Sequence, residues 1–270
     1  MTASVDNEQD EWIVVRGTFA RILTFHKIVN RPTFGVTNFR PARCERLLTA
    51  VRSAGYDFKT VQDVADNSSP DSVGVTFDDG YEHLRDVLPR LMQKHKFVPL
   101  VLVPTAWLGK PNRWDYSHFL CNVPHLDKPG IRDLAGQGVQ FGTHGHNHID
   151  LTRCSPDVAR EELRRSRQIL EDILGHAVTA ISYPFGRVNA SVKDLAREEG
   201  YTLGLTMRFP SNSDSHLSAG RIPVYSFDSR LAVLRRLKGG KGAVIERLKA
   251  GFTNCLSGGT VTLNRFRKIS

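Results

Sequence analysis

Residues 72–81 read SVGVTFDDGY, a short apolar run that ends in two aspartates and a glycine. The run from Ser72 to Phe77 is apolar and rich in β-branched residues, which is typical of a strand buried in a parallel sheet. Two adjacent carboxylates at a strand tip, Asp78 and Asp79, repel each other and are costly to bury unless a cation accompanies them. Gly80 permits a turn that lets both face one pocket. Asp-Asp-Gly is also a common turn sequence, so a plain turn remains the alternative for this stretch alone.

Short apolar runs alternate with longer amphipathic ones on both sides of this stretch. The pattern predicts strands at 21–25, 72–77, 98–103, 139–142, 178–183 and 202–206, and helices at 43–54, 84–94, 156–174 and 192–199. Alternating strands and helices predict an α/β fold with a mainly parallel sheet, either open or closed into a barrel. Catalytic groups are then expected at the carboxyl ends of the strands.

Two further strand ends carry polar or turn-forming residues. Residues 142–148 read GTHGHNH, with histidines at three alternate positions that are hard to explain as packing because each ring needs hydrogen-bond partners. His144 and His148, four residues apart, can both reach one metal ion. Residues 182–186 read SYPFG, where a strand ends in a turn able to aim a backbone N–H into a pocket. Together the three strand ends indicate an Asp-His-His metal site with a spare carboxylate beside it.

This ligand pattern leaves more than one chemistry to weigh. A zincin protease places its general base directly after the first histidine, but that position is Gly145 here, which excludes this class. The dipeptide spacing of His148 and Asp150 suits the facial triad of an iron oxygenase, although the alternating strand–helix pattern argues against that class. A metal ion can lower the pKa of bound water to about 7, and an adjacent carboxylate can take the proton, so hydrolysis is favoured.

The three motifs, residues 76–81, 141–151 and 183–186, resemble those of the polysaccharide deacetylases (the NodB-homology domain, carbohydrate esterase family four). The resemblance extends, in the family's motif order, from Leu23 to Val224. It implies a distorted (β/α) barrel of about seven strands. It also implies divalent-metal-dependent hydrolysis that removes an N-acetyl or other N-acyl group from an amino sugar.

The resemblance also implies roles for individual residues. It makes Asp79, His144 and His148 the metal ligands and Asp78 the base that activates water. The backbone N–H of Phe185 corresponds to the donor that stabilises the oxyanion. The implied cofactor is a divalent metal ion, with Zn²⁺ expected and Mn²⁺, Co²⁺ or Ni²⁺ as alternatives.

The chain departs from the family pattern at two places. The third motif usually begins with an arginine that orients the catalytic aspartate; Ser182 stands there, and Arg221 is the candidate replacement, with a surface arginine as the alternative. The usual C-terminal Leu-x-His motif is missing after Val224. The LTFH sequence that ends at His26 instead resembles the first strand of the circularly permuted subgroup similar to poly-N-acetylglucosamine deacetylases. His26 is therefore the candidate general acid, a core histidine is the alternative reading, and His216 is a weaker candidate acid.

Other histidines and aromatic residues receive weaker assignments. His146 is expected to face solvent or to support the ligands. Five histidines without a spacing signal are expected at the surface: His83, His95, His118, His125 and His176. The aromatic residues of the long irregular stretch 104–129 are expected either to stack on sugar faces or to cover the barrel: Trp107, Trp114 and Tyr116.

Charge is concentrated at one end of the chain. Residues 231–270 hold nine basic side chains and one acid, which accounts for +8 of the net charge of +9. We expect three parts: an N-terminal arm (1–19), a catalytic barrel (20–228) and a basic, helical C-terminal extension (229–270). The extension suits either peripheral contact with an anionic membrane or a solvated helix face. Nucleic-acid binding is not expected, because the basic segment lacks interleaved aromatic residues and a recognisable module.

Length and composition fit a globular protein. The chain has 270 residues, of which 40% are hydrophobic, and no run approaches the roughly 18 apolar residues of a membrane span. A secretory signal is not visible, and the four cysteines form no Cys-x-x-Cys pair, so a cytoplasmic location, peripheral at most to the inner membrane surface, is expected. The N-acylated amino sugar is the expected partner. A carbohydrate-binding relic that has lost activity is the alternative from another functional class.

Overall fold

A ladder of seven parallel strands forms the centre of the computed structural model, which describes residues 20–29, 36–67, 69–111, 123–211 and 214–239. The strand order is β10-β1-β5-β6-β7-β8-β9, while β4 pairs with the start of β5 and β2 pairs with β3 apart from the main sheet. The strands are β1 Ile22–Phe25, β2 Lys27–Ile28, β3 Asn38–Phe39, β4 Asp57–Phe58, β5 Ser72–Phe77, β6 Leu100–Val103, β7 Gln140–Thr143, β8 Ala180–Ser182, β9 Leu203–Leu205 and β10 Ile222–Pro223.

One short segment connects the two edges of this ladder. Leu205 of β9 forms a parallel bridge with Ala219, and the chain then continues into β10, where Ile222 pairs with Leu23 of β1. Hydrogen bonds from the Ala219 amide to Gly204 (2.8 Å) and from the Arg221 amide to Arg208 (2.8 Å) hold the segment against β9. The parallel sheet therefore curves round as a distorted barrel, which confirms the predicted fold class.

Helices lie between successive strands, as the amphipathic pattern predicts. They are α1 Pro41–Ser53, α2 Val61–Asp66, α3 Leu84–His95, α4 Lys128–Gly136, α5 Pro156–Leu174, α6 Ala190–Glu198 and α7 Arg230–Lys238. Several begin at a residue whose side chain accepts the third amide of the helix, namely Thr60, Asp127, Ser155, Asn189 and Ser229. The helices missing from the sequence prediction, α2 and α4, are short ones of six and nine residues.

Alternation along each strand sorts side chains into two layers. Outward residues such as Leu23, Val75 and Phe77 pack beneath the helices in the main core, whereas Ile22 and Leu102 belong to a smaller cluster inside the barrel. Small residues make room in that interior, because a Cβ at Gly142 would lie 2.7 Å from the carbonyl oxygen of Ala180. Toward the carboxyl ends of the strands the interior becomes polar.

The C-terminal helix packs on the barrel. Val233 and Leu237 of α7 are buried in the main core, and the buried Arg21 donates to the carbonyl of Leu237 at 2.9 Å. The predicted arm 1–19 and residues 240–270 of the predicted extension lie outside the described residues, so the three-part division remains a prediction. Within the described part of the chain, none of the helices is both long enough and apolar enough to cross a membrane.

Candidate metal and catalytic site

The residues singled out at the strand ends meet at the carboxyl end of the barrel. Phe25 of β1 is level with Phe77 of β5, and the amide of Asp78 donates to the carbonyl of Phe25 at 2.9 Å. His26 and Asp78 are thus the first residues beyond two neighbouring strands. β7 and β8 lie further along the same ladder and bring the histidine motif and the SYPFG turn to the same edge.

Asp79, His144 and His148 form one buried cluster. The Nε2 atoms of His144 and His148 each lie 3.7 Å from Oδ1 of Asp79. One potential ligand atom from each residue lies within 4.8 Å of the other two. The two imidazoles meet edge to face with centroids 4.7 Å apart. This arrangement brings together the three predicted ligands.

The donor set fits a divalent cation. The Nδ1–H of His144 donates to the carbonyl of Ser182 at 2.7 Å, which leaves the lone pair of Nε2 on the side of Asp79. Burial and the neighbouring His144 lower the pKa of His148 to about 3, so its imidazole is neutral and able to bind a metal. Two imidazoles and one carboxylate are a usual ligand set for a catalytic zinc site with an open position.

Three residues of the site adopt a backbone conformation that side chains other than glycine rarely take. The φ angles are 66° at Asp79, 59° at His148 and 59° at Phe185. Such conformations cost on the order of 1–3 kcal/mol each and persist where surrounding contacts impose them. Of the four such residues in the described part of the chain, three thus lie at the strand tips of the site, and the fourth, Lys96 (φ 51°), ends helix α3.

Asp78 is held by the buried Arg221, whose side chain has no exposed surface. Nη1 and Nη2 of Arg221 donate to the two carboxylate oxygens at 2.7 and 2.8 Å. The hydroxyl of Ser182 donates to Oδ2 at 3.0 Å and receives Nη2 at 2.8 Å. Burial alone would raise the pKa of Asp78, but the charge and hydrogen bonds of Arg221 hold this pKa below its ordinary value.

His26 is half-buried beside this pair. Its Nδ1 atom is buried and makes no hydrogen bond within the described residues. Burial lowers the pKa of His26, while the carboxylates of Asp78 and Asp79 act in the opposite direction. Both aspartates are therefore close enough to the His26 imidazole to affect its pKa, and a general acid in this site needs such a position.

Phe185 lies in the turn after β8. Its ring meets that of His148 edge to face with centroids 4.8 Å apart, and Gly186 donates to the carbonyl of Tyr183 at 2.8 Å to close the turn. A Cβ at Gly186 would lie 2.4 Å from the Cβ of Met207, so glycine is required for this close approach. The turn thus places the Phe185 ring against a proposed metal ligand.

Two buried residues to which the sequence interpretation gave no role in the site support the ligand loops. Glu162 of α5 accepts the amides of His146 at 3.0 Å and Asn147 at 2.8 Å, and the Asn147 side chain at 2.5 Å. His125 donates from Nδ1 to the backbone carbonyl of Asp79 at 2.6 Å. Glu162 carried a readable signal, because it lies on the buried face of α5 with Ala159. A charged residue on such a face is rarely placed there for packing alone.

The remaining histidine expectations have mixed outcomes. His146 supports the ligand loop as expected, with Nδ1 2.8 Å from the hydroxyl of Thr105. The surface placement is wrong for His95 and His125, which are buried, and right for His176; His118 lies outside the described residues. His216 is exposed, and its imidazole makes one polar contact within the described residues, 3.1 Å from Asp66.

One of the three loop aromatics can be placed. Trp107 lies in a 3₁₀ helix directly after β6, where its indole N–H donates to the carbonyl of Asn147 at 3.4 Å. It lines a cavity of about 330 Å³ together with Lys110 and Asn147. Trp114 and Tyr116 lie outside the described residues.

Comparisons with known proteins agree with this geometry. YxkH of Bacillus subtilis (strain 168), which is assigned to the polysaccharide deacetylases, is 26% identical over 133 residues, 49% of this chain and 43% of YxkH. The chain therefore spans less than half the length of this relative.

Solved structures share the fold. The deacetylase PplD of Streptococcus pyogenes, solved in complex with acetate, matches with a TM-score of 0.69 and 24% identity, covering 80% of this chain and 97% of PplD. IcaB from Ammonifex degensii matches with a TM-score of 0.68 and 19% identity, covering 82% and 98%. The family model for polysaccharide deacetylases matches residues 65–204, more than half of the chain. The chain therefore belongs to the polysaccharide deacetylase family.

Proposed function

We propose that the protein is a metal-dependent amidohydrolase that removes an N-acetyl or other N-acyl group from an amino sugar. One observation carries the proposal. One ligand atom each from Asp79, His144 and His148 lies within 4.8 Å of the other two. Asp78 lies beside them, and its carboxylate forms an ion pair with Arg221. A hydrolase of this kind needs both a cation site and an ionised carboxylate that does not bind the cation.

The three clustered residues would hold the cation. Once bound, a divalent ion supplies a Lewis acid that polarises an acyl carbonyl and lowers the pKa of water. Zn²⁺ suits two imidazoles and one carboxylate, and Mn²⁺, Co²⁺ and Ni²⁺ are alternatives. The metal identity is part of the proposal.

Asp78 would act as the general base. The bidentate contact with Arg221 keeps the carboxylate ionised near neutral pH and fixes its orientation. The hydroxyl of Ser182 adds a hydrogen bond to the same carboxylate. Ser182 and Arg221 together would therefore perform the orienting task that an arginine in the third motif performs elsewhere in the family.

His26 and Phe185 would complete the reaction. His26 would protonate the departing nitrogen, because its unpartnered Nδ1 lies in the same interior as Asp78. The backbone N–H of Phe185 would stabilise the oxyanion, since its turn packs directly on His148. The proposal includes the circularly permuted subgroup, because that subgroup has its general acid at the first strand, and His26 directly follows β1.

The surroundings of the cluster support the proposed substrate class. The cavity beside Trp107 would accept a sugar ring, whose apolar face stacks on aromatic side chains. YxkH and PplD are described as deacetylases, and PplD was solved with acetate, the product of such a reaction. A cytoplasmic location and contact of the basic C-terminal segment with an anionic membrane remain predictions.

The decisive experiment is a panel of N-acetyl and N-formyl amino sugars incubated with purified protein and each added divalent metal, with the released acid identified. Asp78→Asn should keep the metal and lose turnover, whereas His148→Ala should lose both. Full activity in Asp78→Asn would remove the assignment of the base. Bound metal without acid release from any sugar would favour the inactive relic, and iron-dependent oxygen uptake would favour the oxygenase.

A further inference from the structure

A second cavity, of about 510 Å³, lies on the other side of the SYPFG turn. It is bordered by residues 186–190, by Lys193 of α6 and by Arg208 from the loop after β9. Its volume is within the usual range for small-molecule sites, about 300–1,000 Å³. Gly186, at its edge, follows Phe185, whose ring contacts His148. The cavity therefore lies one residue along the chain from a side chain that contacts a proposed metal ligand.

The cavity is lined by three cations: Arg187, Lys193 and Arg208. No acidic side chain is among the described residues that line it. The ammonium group of Lys193 has no ion-pair partner in the described part of the chain. Helix α6 begins at Ala190, which also borders the cavity, so the positive end of the helix dipole adds to the same field.

Two acids contact the arginines of this cavity, and both also accept backbone amides. Asp150 contacts Arg187 at 2.8 Å, but its other oxygen accepts the amide and hydroxyl of Thr152. Asp214 accepts the amides of Ser211 and Gly220 and lies 3.9 Å from Arg208. These acids offset part of the positive charge of Arg187 and Arg208, whereas Lys193 keeps its whole charge for an anion.

We propose that this cavity binds a phosphoryl group carried by the amino-sugar substrate. The proposal rests on the proposed function, because the cavity is placed to hold part of a substrate whose N-acyl group lies at the Asp79 cluster. Guanidinium and ammonium groups together with a helix N-terminus are the usual means of binding phosphate. The preferred substrate is then a phosphorylated amino sugar rather than a neutral one.

Binding is tested first, without turnover. Glucosamine 6-phosphate and glucosamine, which carry no acyl group to remove, are titrated calorimetrically into the native protein. We expect the phosphorylated sugar to bind at least tenfold more tightly, with an affinity that falls as salt is added. The variant Lys193→Gln, which removes no side-chain hydrogen bond or ion pair within the described residues, should weaken this binding severalfold, and Lys193→Gln/Arg208→Gln at least tenfold.

Arg197→Gln is the matched control. It removes one positive charge from the same helix, at an exposed position paired with Asp194 and outside the cavity. Its affinity for glucosamine 6-phosphate should stay within twofold of the native value. Equal native affinity for both sugars, or unchanged affinity in the double variant, would overturn the proposal. Because no acyl group is cleaved, this result stands whether or not the proposed function holds.

Turnover then identifies the source of the phosphate. The substrates are N-acetylglucosamine 6-phosphate, UDP-N-acetylglucosamine and N-acetylglucosamine on a lipid diphosphate in detergent micelles, each compared with neutral N-acetylglucosamine. At least one phosphorylated form should show a kcat/KM tenfold above the neutral sugar, and the double variant should remove that advantage. Equal kcat/KM for all four argues against the cavity as a substrate subsite, whereas no release from any substrate contradicts the proposed function alone.

Discussion

Replacing Arg221 should leave the buried carboxylate of Asp78 without a compensating positive charge. Its guanidinium makes two contacts to the Asp78 carboxylate at 2.7 and 2.8 Å, and others to Thr76, Ser182 and the carbonyl of Thr206. Removing one partner of a buried ion pair typically costs about 3–5 kcal/mol, because the other charge is left uncompensated. Arg221→Met should therefore lose stability on this scale or force Asp78 to take up a proton.

The same free energy sets the expected change in pKa. One pKa unit corresponds to about 1.36 kcal/mol, so a loss of about 3 kcal/mol raises the pKa of Asp78 by roughly two units. A base must be ionised to act, so the acidic limb of kcat/KM should move to higher pH. Arg221→Lys keeps the charge but loses the bidentate contact, and a smaller movement is expected.

The assay is kcat/KM against pH with saturating metal, combined with urea unfolding. Arg236→Met is the matched control, because Arg236 and Asp228 form a second buried pair, between α7 and the chain just before it. The control should lose comparable stability while its acidic limb stays in place. If the limb of Arg221→Met also stays in place, Arg221 has a structural role alone. Asp78→Asn in the Arg221→Met background should recover part of the lost stability.

Three further changes test the remaining parts of the site. Glu162→Gln should weaken metal binding about tenfold, as loss of support behind a metal ligand does, and a competitive chelator titration measures it. His26→Asn should lower kcat about 10²–10⁴-fold with full metal content, measured by turnover and by elemental analysis; unchanged kcat would rule out His26 as the acid. The thermal midpoint of metal-free protein should decrease as the pH is lowered from 7 to 5. Burial lowers the pKa of four histidines in the folded protein, so on acidification the unfolded chain binds protons before the folded one does: His26, His95, His125 and His146. A midpoint that rises on acidification would contradict this sign.

The strands and motifs could be predicted from the sequence because their signals depend on neighbouring residues. Ser72–Phe77 and Pro156–Leu174 have the predicted bounds, since one is an uninterrupted apolar run and the other has a serine cap and a glycine end. The residues of the metal cluster were found because histidine and aspartate repeat at strand tips. β4 and β10 have two residues each, too short to produce a periodic pattern, and their pairing is decided by tertiary contacts.

The supporting residues were harder to predict because their partners are distant in sequence. His125 reaches Asp79 across 46 positions, and Arg221 reaches Asp78 across 143. Arg221 was inferred only because the family arginine was missing at Ser182. His125 had no comparable departure from the family pattern to indicate it, and the hydrogen bond of its Nδ1 atom is to a residue far away in sequence.

The two adjacent aspartates resolve their mutual repulsion by acquiring separate partners. Along a regular strand successive side chains point to opposite faces, but the left-handed conformation of Asp79 (φ 66°) breaks this alternation. Asp78 then pairs with Arg221 inside the barrel. Within the described residues, the ion-pair partners of Asp79 are two imidazoles, and burial holds that of His148 in its neutral form. Neither arginine nor lysine is therefore among the ion-pair partners of this second buried carboxylate in the described part of the chain, which is the physical reason to expect a metal ion at this point.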